Sequence, residues 1–162
     1  MTALSLFLAL LLAGSATHKA LAHDRMTVAA ARLTGLYRHG QLALIVAGCL
    51  ELAAAAMLLV PALRPVGAMI AAGVWLAYAA ALLRQRGRTL DCGCDLVARE
   101  KPVDWPIIAR PTLLALLAIS VSTLPAAEGF ALDAPFAAAG LLALYLGASE
   151  LLAIPHPRWR KS

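Results

Sequence analysis

Charge is what this sequence has least of. Only 14% of its 162 residues are Asp, Glu, Lys or Arg, against 62% hydrophobic, and the mean hydropathy is +0.79. A soluble domain of this length needs a polar surface, and these residues cannot make one. Aromatic residues are also few, at 6%, and they do not interleave with basic ones as a nucleic-acid surface would require. The net charge of +5 reads instead as orientation and headgroup charge, because the basic residues sit at the ends of apolar segments. Nucleic acid is thereby excluded as a partner. Cysteine is scarce too. Three thiols make no disulfide framework, which leaves Cys92 and Cys94 as a local pair and Cys49 on its own. No cofactor is evident, and no repeat of domain scale.

What is present is a series of long apolar runs separated by clustered charge, the pattern of a helical membrane protein. The runs predict five spans within a single integral membrane domain, at about residues 2–22, 42–63, 66–83, 107–124 and 134–154. At about 1.5 Å per residue the first just crosses a core of roughly 30 Å if Lys19 snorkels. A cleaved signal peptide ending at Ala20-Leu21-Ala22 competes with that reading. Against it, no Lys or Arg precedes the run, and His18-Lys19 falls where a small neutral region belongs. Residues 22–41 form a polar connector, read either as an interfacial amphipathic helix or as an irregular basic loop. Pro61 to Pro65 makes a tight turn. Pro106 and Pro111 sit early in the fourth span, where the first amides have no intrahelical acceptor. Small residues such as Gly67, Ala71, Ala72 and Gly140 suit close helix–helix approach in lipid. The expected fold is all-α: a polytopic bundle of four core transmembrane helices plus a fifth, multi-pass in a bacterial-type cytoplasmic (inner) membrane.

Charge placement sets an expected orientation. The first connector carries Lys19, Arg25, Arg32 and Arg38, and the third carries Arg84, Arg86, Arg88, Arg99 and Lys101, with Arg110 just inside the next span. The tail carries Arg158, Arg160 and Lys161, while the other side has only Arg64 among Lys and Arg. The positive-inside rule turns the basic connectors to the cytoplasm. Two spans separate those connectors, so they share a face in either orientation. A cleaved first span, or an N-terminus held inside, would move both outward, into the oxidising compartment.

The third connector holds the stretch with the most chemistry, Asp91-Cys92-Gly93-Cys94-Asp95. Neighbouring cations lower a thiol's pKa, and Arg84, Arg86 and Arg88 are near in sequence, while Asp91 and Asp95 work the other way. A disulfide between residues two apart closes a small strained ring of the labile, readily exchanging kind, and Gly93 relaxes the backbone enough to allow it. Three functions stay open. One is a thiol–disulfide oxidoreductase or redox-linked maturation factor acting on an exported partner, with Cys92 and Cys94 as the reactive pair. Another is a carrier or sensor of a soft metal ion held by those two thiolates, with His18, His23 and His39 on the same face. The third is a passive structural subunit of the bilayer. Within the spans, Glu51 stands out, since an ionisable group at depth is costly unless it faces the bundle interior. It reads as a proton relay, a partner for Arg or His of another helix, or an interhelical hydrogen-bonding carboxyl. Trp75, Tyr78, Trp105 and Trp159 read as interface anchors or packing.

His18-Lys19 at the end of the first span, Glu51 in the second, small residues in the third and then Asp91-Cys92-Gly93-Cys94 resemble the MauE family of methylamine utilization membrane proteins, which are related to the DoxX-like proteins. The resemblance covers about Ala3 to Leu124. It implies a multi-pass bundle that assists maturation of the disulfide-rich small subunit of methylamine dehydrogenase. In the thiol-exchange reading Asp91, Gly93, His18, Lys19 and Glu51 are the supporting residues. The family commonly continues Cys-Gly-Cys with Phe-Gly, where this chain has Asp95-Leu96. The implied function also wants the thiols on the periplasmic side, opposite to the orientation that the charges favour.

Overall fold

The computed structural model describes residues 2–35, 37–87, 89–90, 101–125 and 132–151. Five of its helices are long and apolar enough to cross a membrane: α1 (Ala3–Leu21), α3 (Gly40–Leu59), α4 (Arg64–Arg84), α5 (Trp105–Thr123) and α6 (Ala134–Leu151). A shorter helix, α2 (His23–Thr34), occupies the first connector. The chain is an all-α, multi-pass membrane bundle.

Local chemistry sets the helix ends. The Thr2 hydroxyl accepts the Ser5 amide at 3.3 Å and caps α1. The connector after α1 is helical, burying Met26 and Ala31, and Gly35 in the left-handed region (φ 74°) stops it. The second span ends at Leu59 and does not reach Leu63. Pro61 disfavours the helical region for Val60, which is extended (φ −97°, ψ 115°), and Val60 to Leu63 turn into α4. α5 begins at Trp105, earlier than the apolar run suggested, so Pro111 lies in its second turn and not its first.

α3 packs between α1 and α4, α5 packs on the other side of α4, and α6 leans on α1. The core they share is built from small residues, with Ala54, Ala68, Ala71, Ala115 and Ala118 buried around Leu8, Leu12, Leu58 and Trp75. Large apolar residues such as Leu42, Ile45, Leu52, Leu76 and Leu113 point outward. Lipid tails are as apolar as leucine, so helices in a bilayer gain by close backbone contact and not by hiding leucine. Gly67 shows how close that contact is. A Cβ added there would lie 2.8 Å from Met57 Cβ and 2.9 Å from the Leu58 amide nitrogen, whereas Gly73 on the same helix has nothing within 4 Å. Gly67→Ala is therefore expected to cost about 1–3 kcal/mol, the range for overpacking. Gly73→Ala is the control, and thermal unfolding in detergent should leave it unchanged or slightly stabilised. Equal effects at the two positions would contradict the packing described.

α1 and α4 finish, and α3 and α5 begin, at one end of the bundle. There the Gln85 side-chain amide donates to the Arg32 carbonyl at 3.2 Å, tying α4 to α2, and Leu82, Val103 and Ile108 form a second small core with Leu33. A two-stranded antiparallel ladder, β1 (Thr89–Leu90) with β2 (Lys101–Pro102), stands on this end. We refer to it as the stem and to this end as the stem face. At the opposite face the Arg64 guanidinium donates to the Leu124 carbonyl, joining the start of α4 to the end of α5.

Candidate functional site

The stem brings both ends of one connector together. Thr89 pairs with Pro102 and Leu90 with Lys101, and the Gly87 amide donates to the Val103 carbonyl at 3.2 Å just beneath. At its root the Arg86 guanidinium lies 4.3 Å from the centre of the Trp105 ring, a cation–π contact between the ends of α4 and α5. Asp91, Cys92, Gly93 and Cys94 belong to the segment that leaves and re-enters this ladder, and they lie outside the described residues.

The described chemistry sits lower in the bundle. Glu51 is 1% exposed within the 20-residue α3. Lys19 of α1 reaches it, with Nζ 2.8 Å from Oε1 and 2.9 Å from Oε2. The same ammonium donates to Ser15 Oγ one turn back, and Ser15 Oγ donates to Oε1 at 3.3 Å. Tyr78 of α4 donates its hydroxyl to Oε1 at 2.9 Å, and the ammonium lies 5.3 Å from the centre of that ring. All three ammonium protons are thus used, and both carboxylate oxygens accept. Such closure is what a charge pair needs away from water, because the desolvation of each ion is offset only when its remaining hydrogen bonds are made. Ser15 and Tyr78 are each six residues from the stem-face end of their helices, about 9 Å at 1.5 Å per residue. The cluster therefore lies within the bundle, toward the stem face.

Lys19 does not snorkel. Its side chain is 13% exposed and points inward at Glu51, so it drops out of the headgroup charges. The relatively short reach from Ser15 and Lys19, at one-turn spacing, is what lets a single helix hold the carboxylate from two points. Tyr78 is no interface anchor, since its hydroxyl is committed to the same carboxylate, and Trp75 one turn earlier is buried in the core. Ser15 was not singled out from sequence, and Tyr78 only as an anchor or packing residue. The available signal was their helical registers, Ser15 four before Lys19 and Tyr78 three after buried Trp75. His18 goes elsewhere. Its Nε2 accepts from Arg25 Nη2 at 3.0 Å, because a guanidinium has no acceptor, and this links the end of α1 to α2. Cys49, two positions from Glu51, is an exposed free thiol on the lipid side of α3.

Comparison with known proteins places this arrangement. The family model described as methylamine utilisation protein MauE matches residues 1–124, which takes in α1 to α5, the stem and the whole polar cluster. The chain belongs to the MauE family. A methylamine utilization protein MauE from Paracoccus denitrificans is 40% identical over 111 residues, 62% of this chain and 59% of the relative. Another from Methylorubrum extorquens is 40% identical over 72 residues, 41% of this chain and 39% of the relative. The chain thus spans less than two thirds of the length of either MauE relative. No solved structure matches it. The family match stops at Leu124, so α6 is the part of this MauE chain that lies beyond it.

Proposed function

We propose that this protein is a membrane accessory of methylamine utilisation that exchanges disulfides with an exported partner through Cys92 and Cys94. Its partner in this reading is the small subunit of methylamine dehydrogenase. The observation that carries the proposal is the stem. A ten-residue segment containing two thiols one residue apart starts and ends on a two-pair antiparallel ladder between α4 and α5. Beneath it the Lys19–Glu51–Tyr78 cluster fixes α1, α3 and α4 in register, and we assign it a positioning role. Family membership and the bilayer-spanning helices support the same reading.

One exchange balances as follows, and a two-electron acceptor of the membrane, a quinone or a more oxidising disulfide, then returns the pair to the disulfide. A client thiolate attacks one sulfur of a Cys92–Cys94 disulfide, forming a mixed disulfide and releasing the other sulfur as thiolate. A second client thiolate then attacks the mixed disulfide. The client leaves with its own disulfide, this chain is left as dithiol, and two electrons have passed to it.

The test uses a Cys49→Ser background, so that only the pair carries thiols. Alkylation-shift gels are expected to show both oxidised and reduced forms of the pair in cells. A membrane-impermeant maleimide should label the reduced pair in intact cells, because the exported partner is met on that side. The positive-inside count requires the reverse, so the labelling sets the two against each other. A pair that stays reduced and is labelled only after lysis contradicts the proposal. A stoichiometric metal bound by the purified protein and lost in the Cys92→Ser/Cys94→Ser variant would replace it with the soft-metal reading.

A further inference from the structure

Arg64 raises a question that the thiol face does not answer. It is the one Lys or Arg that the sequence places on the opposite side of the bilayer, and it is buried, with 5% of its surface exposed. One guanidinium nitrogen donates to the Leu124 carbonyl at the end of α5. The Nε–H is also buried, and it has no acceptor among the described residues. Among the described residues no carboxylate lies in ion-pair distance of Arg64.

The surroundings add positive charge. Arg64 opens α4, a 21-residue helix with no side-chain cap and no acidic residue in its first turn. The unmade amide bonds of that end carry partial positive charge. A buried guanidinium, an orphaned Nε–H and an uncapped helix start therefore meet without an anion among the described residues, and burial of an unpaired charge is costly. α4 is about 31 Å long at 1.5 Å per residue, so its first residue lies where the phosphates of a bilayer lie. Around it Val60, Leu63, Val66 and Leu124 are exposed apolar side chains. An anion suited to this place is amphipathic.

We propose that Arg64 and the start of α4 bind an oxyanion of the phosphate class on the face opposite the thiols, supplied by the headgroup of an anionic phospholipid whose chains lie over Val60, Leu63 and Val66. The guanidinium offers a planar fork to the phosphate oxygens, and the helix start adds its partial positive charge and the few amides left there, Pro65 having none and the Gly67 amide going to the Leu63 carbonyl. The site ties α4 to α5 from below, at the far end of the two helices that carry the stem.

The test is lipid titration of the detergent-purified full chain, read as thermal stabilisation and as lipid retained in native mass spectrometry. Phosphatidylglycerol is compared with phosphatidylcholine, and inorganic phosphate forms a separate arm. The wild type is expected to prefer phosphatidylglycerol. Arg64→Gln is expected to weaken that binding by at least about tenfold, the scale of a lost charge-assisted contact. Arg38→Gln removes an equal charge from an exposed site on the stem face and is expected to keep the preference. Arg64-dependent stabilisation by inorganic phosphate, without a lipid preference, supports the oxyanion site and names free phosphate as its source. If Arg64→Gln fails to fold, Arg64→Lys keeps the charge without the fork and is expected to show an intermediate loss. An Arg64 variant with the wild-type preference overturns the proposal, as does a wild type with no preference and no response to phosphate. It is also overturned if Glu128→Gln/Asp133→Asn destabilises the chain as much as Arg64→Gln and abolishes the lipid response, since the occupant is then a carboxylate of the chain itself.

Discussion

Replacing Lys19 with methionine is expected to cost about 3–5 kcal/mol of stability, and replacing Glu51 with methionine as well is expected to return most of it. The single change leaves a fully buried carboxylate with hydroxyls from Ser15 and Tyr78 but no countercharge. The double change removes both ions and leaves an apolar pair of similar volume in a helical, lipid-facing bundle. Its residual cost comes from the two hydroxyls that lose an acceptor, on the order of 1 kcal/mol each. The size of the coupling decides what the pair is. Interhelical hydrogen bonds in membrane proteins average about 0.6 kcal/mol in double-mutant cycles. A coupling of several kcal/mol identifies a buried ion pair, and one near the average reduces it to an ordinary polar contact. Thermal or denaturant unfolding of all four chains in one detergent measures it. Additive single effects, with the double variant the least stable of the four, would contradict the geometry described.

The second large effect is functional. Cys92→Ser/Cys94→Ser is expected to abolish maturation of the exported partner, down to the level of cells lacking the protein. Its unfolding should remain within about 0.5 kcal/mol of wild type, since Cys-to-Ser changes keep the side-chain size and the described helix packing is untouched. The separation follows from the stem, since the segment bearing the thiols lies beyond the ladder that closes it and the packing of α4 on α5 lies before it. The recovered Lys19→Met/Glu51→Met chain supplies the complementary case. If the cluster positions the helices and does nothing more, that chain matures the partner in proportion to its restored stability. Full stability with lost maturation would give the cluster a direct part in the exchange.

The helical frame was legible because apolar length is a one-dimensional property. Five runs separated by charge leave little choice once lipid is the solvent. Glu51 was legible as a special residue for the same reason. Its partner was not. Lys19 is two residues before the end of α1, and at that position a lysine usually reaches for headgroups. Whether it turns inward depends on the register of α1 against α3, which no local pattern encodes. Tyr78 was read as an interface anchor or as packing, and it packs on the core, but its hydrogen bond to Glu51 was not legible because it too depends on how the helices meet. Arg64 entered the charge count as a lone outward cation, and its burial against the end of α5 depends on how two helices meet. The end of the second span at Leu59 was readable in principle from Pro61, whose effect on Val60 is local.

Trapping the mixed disulfide tests the exchange most directly. In a Cys49→Ser chain that keeps only one thiol of the pair, the remaining thiolate attacks a disulfide of the oxidised client, the reverse of the exchange above, and with the neighbouring thiol missing this chain cannot expel the client from the mixed disulfide. Non-reducing gels of membranes that co-express the methylamine dehydrogenase small subunit are expected to show an adduct of the two chains, released by dithiothreitol and absent when both Cys92 and Cys94 are serine. Cells in which neither single-thiol chain forms that adduct, while the wild type still supports maturation, would contradict the account.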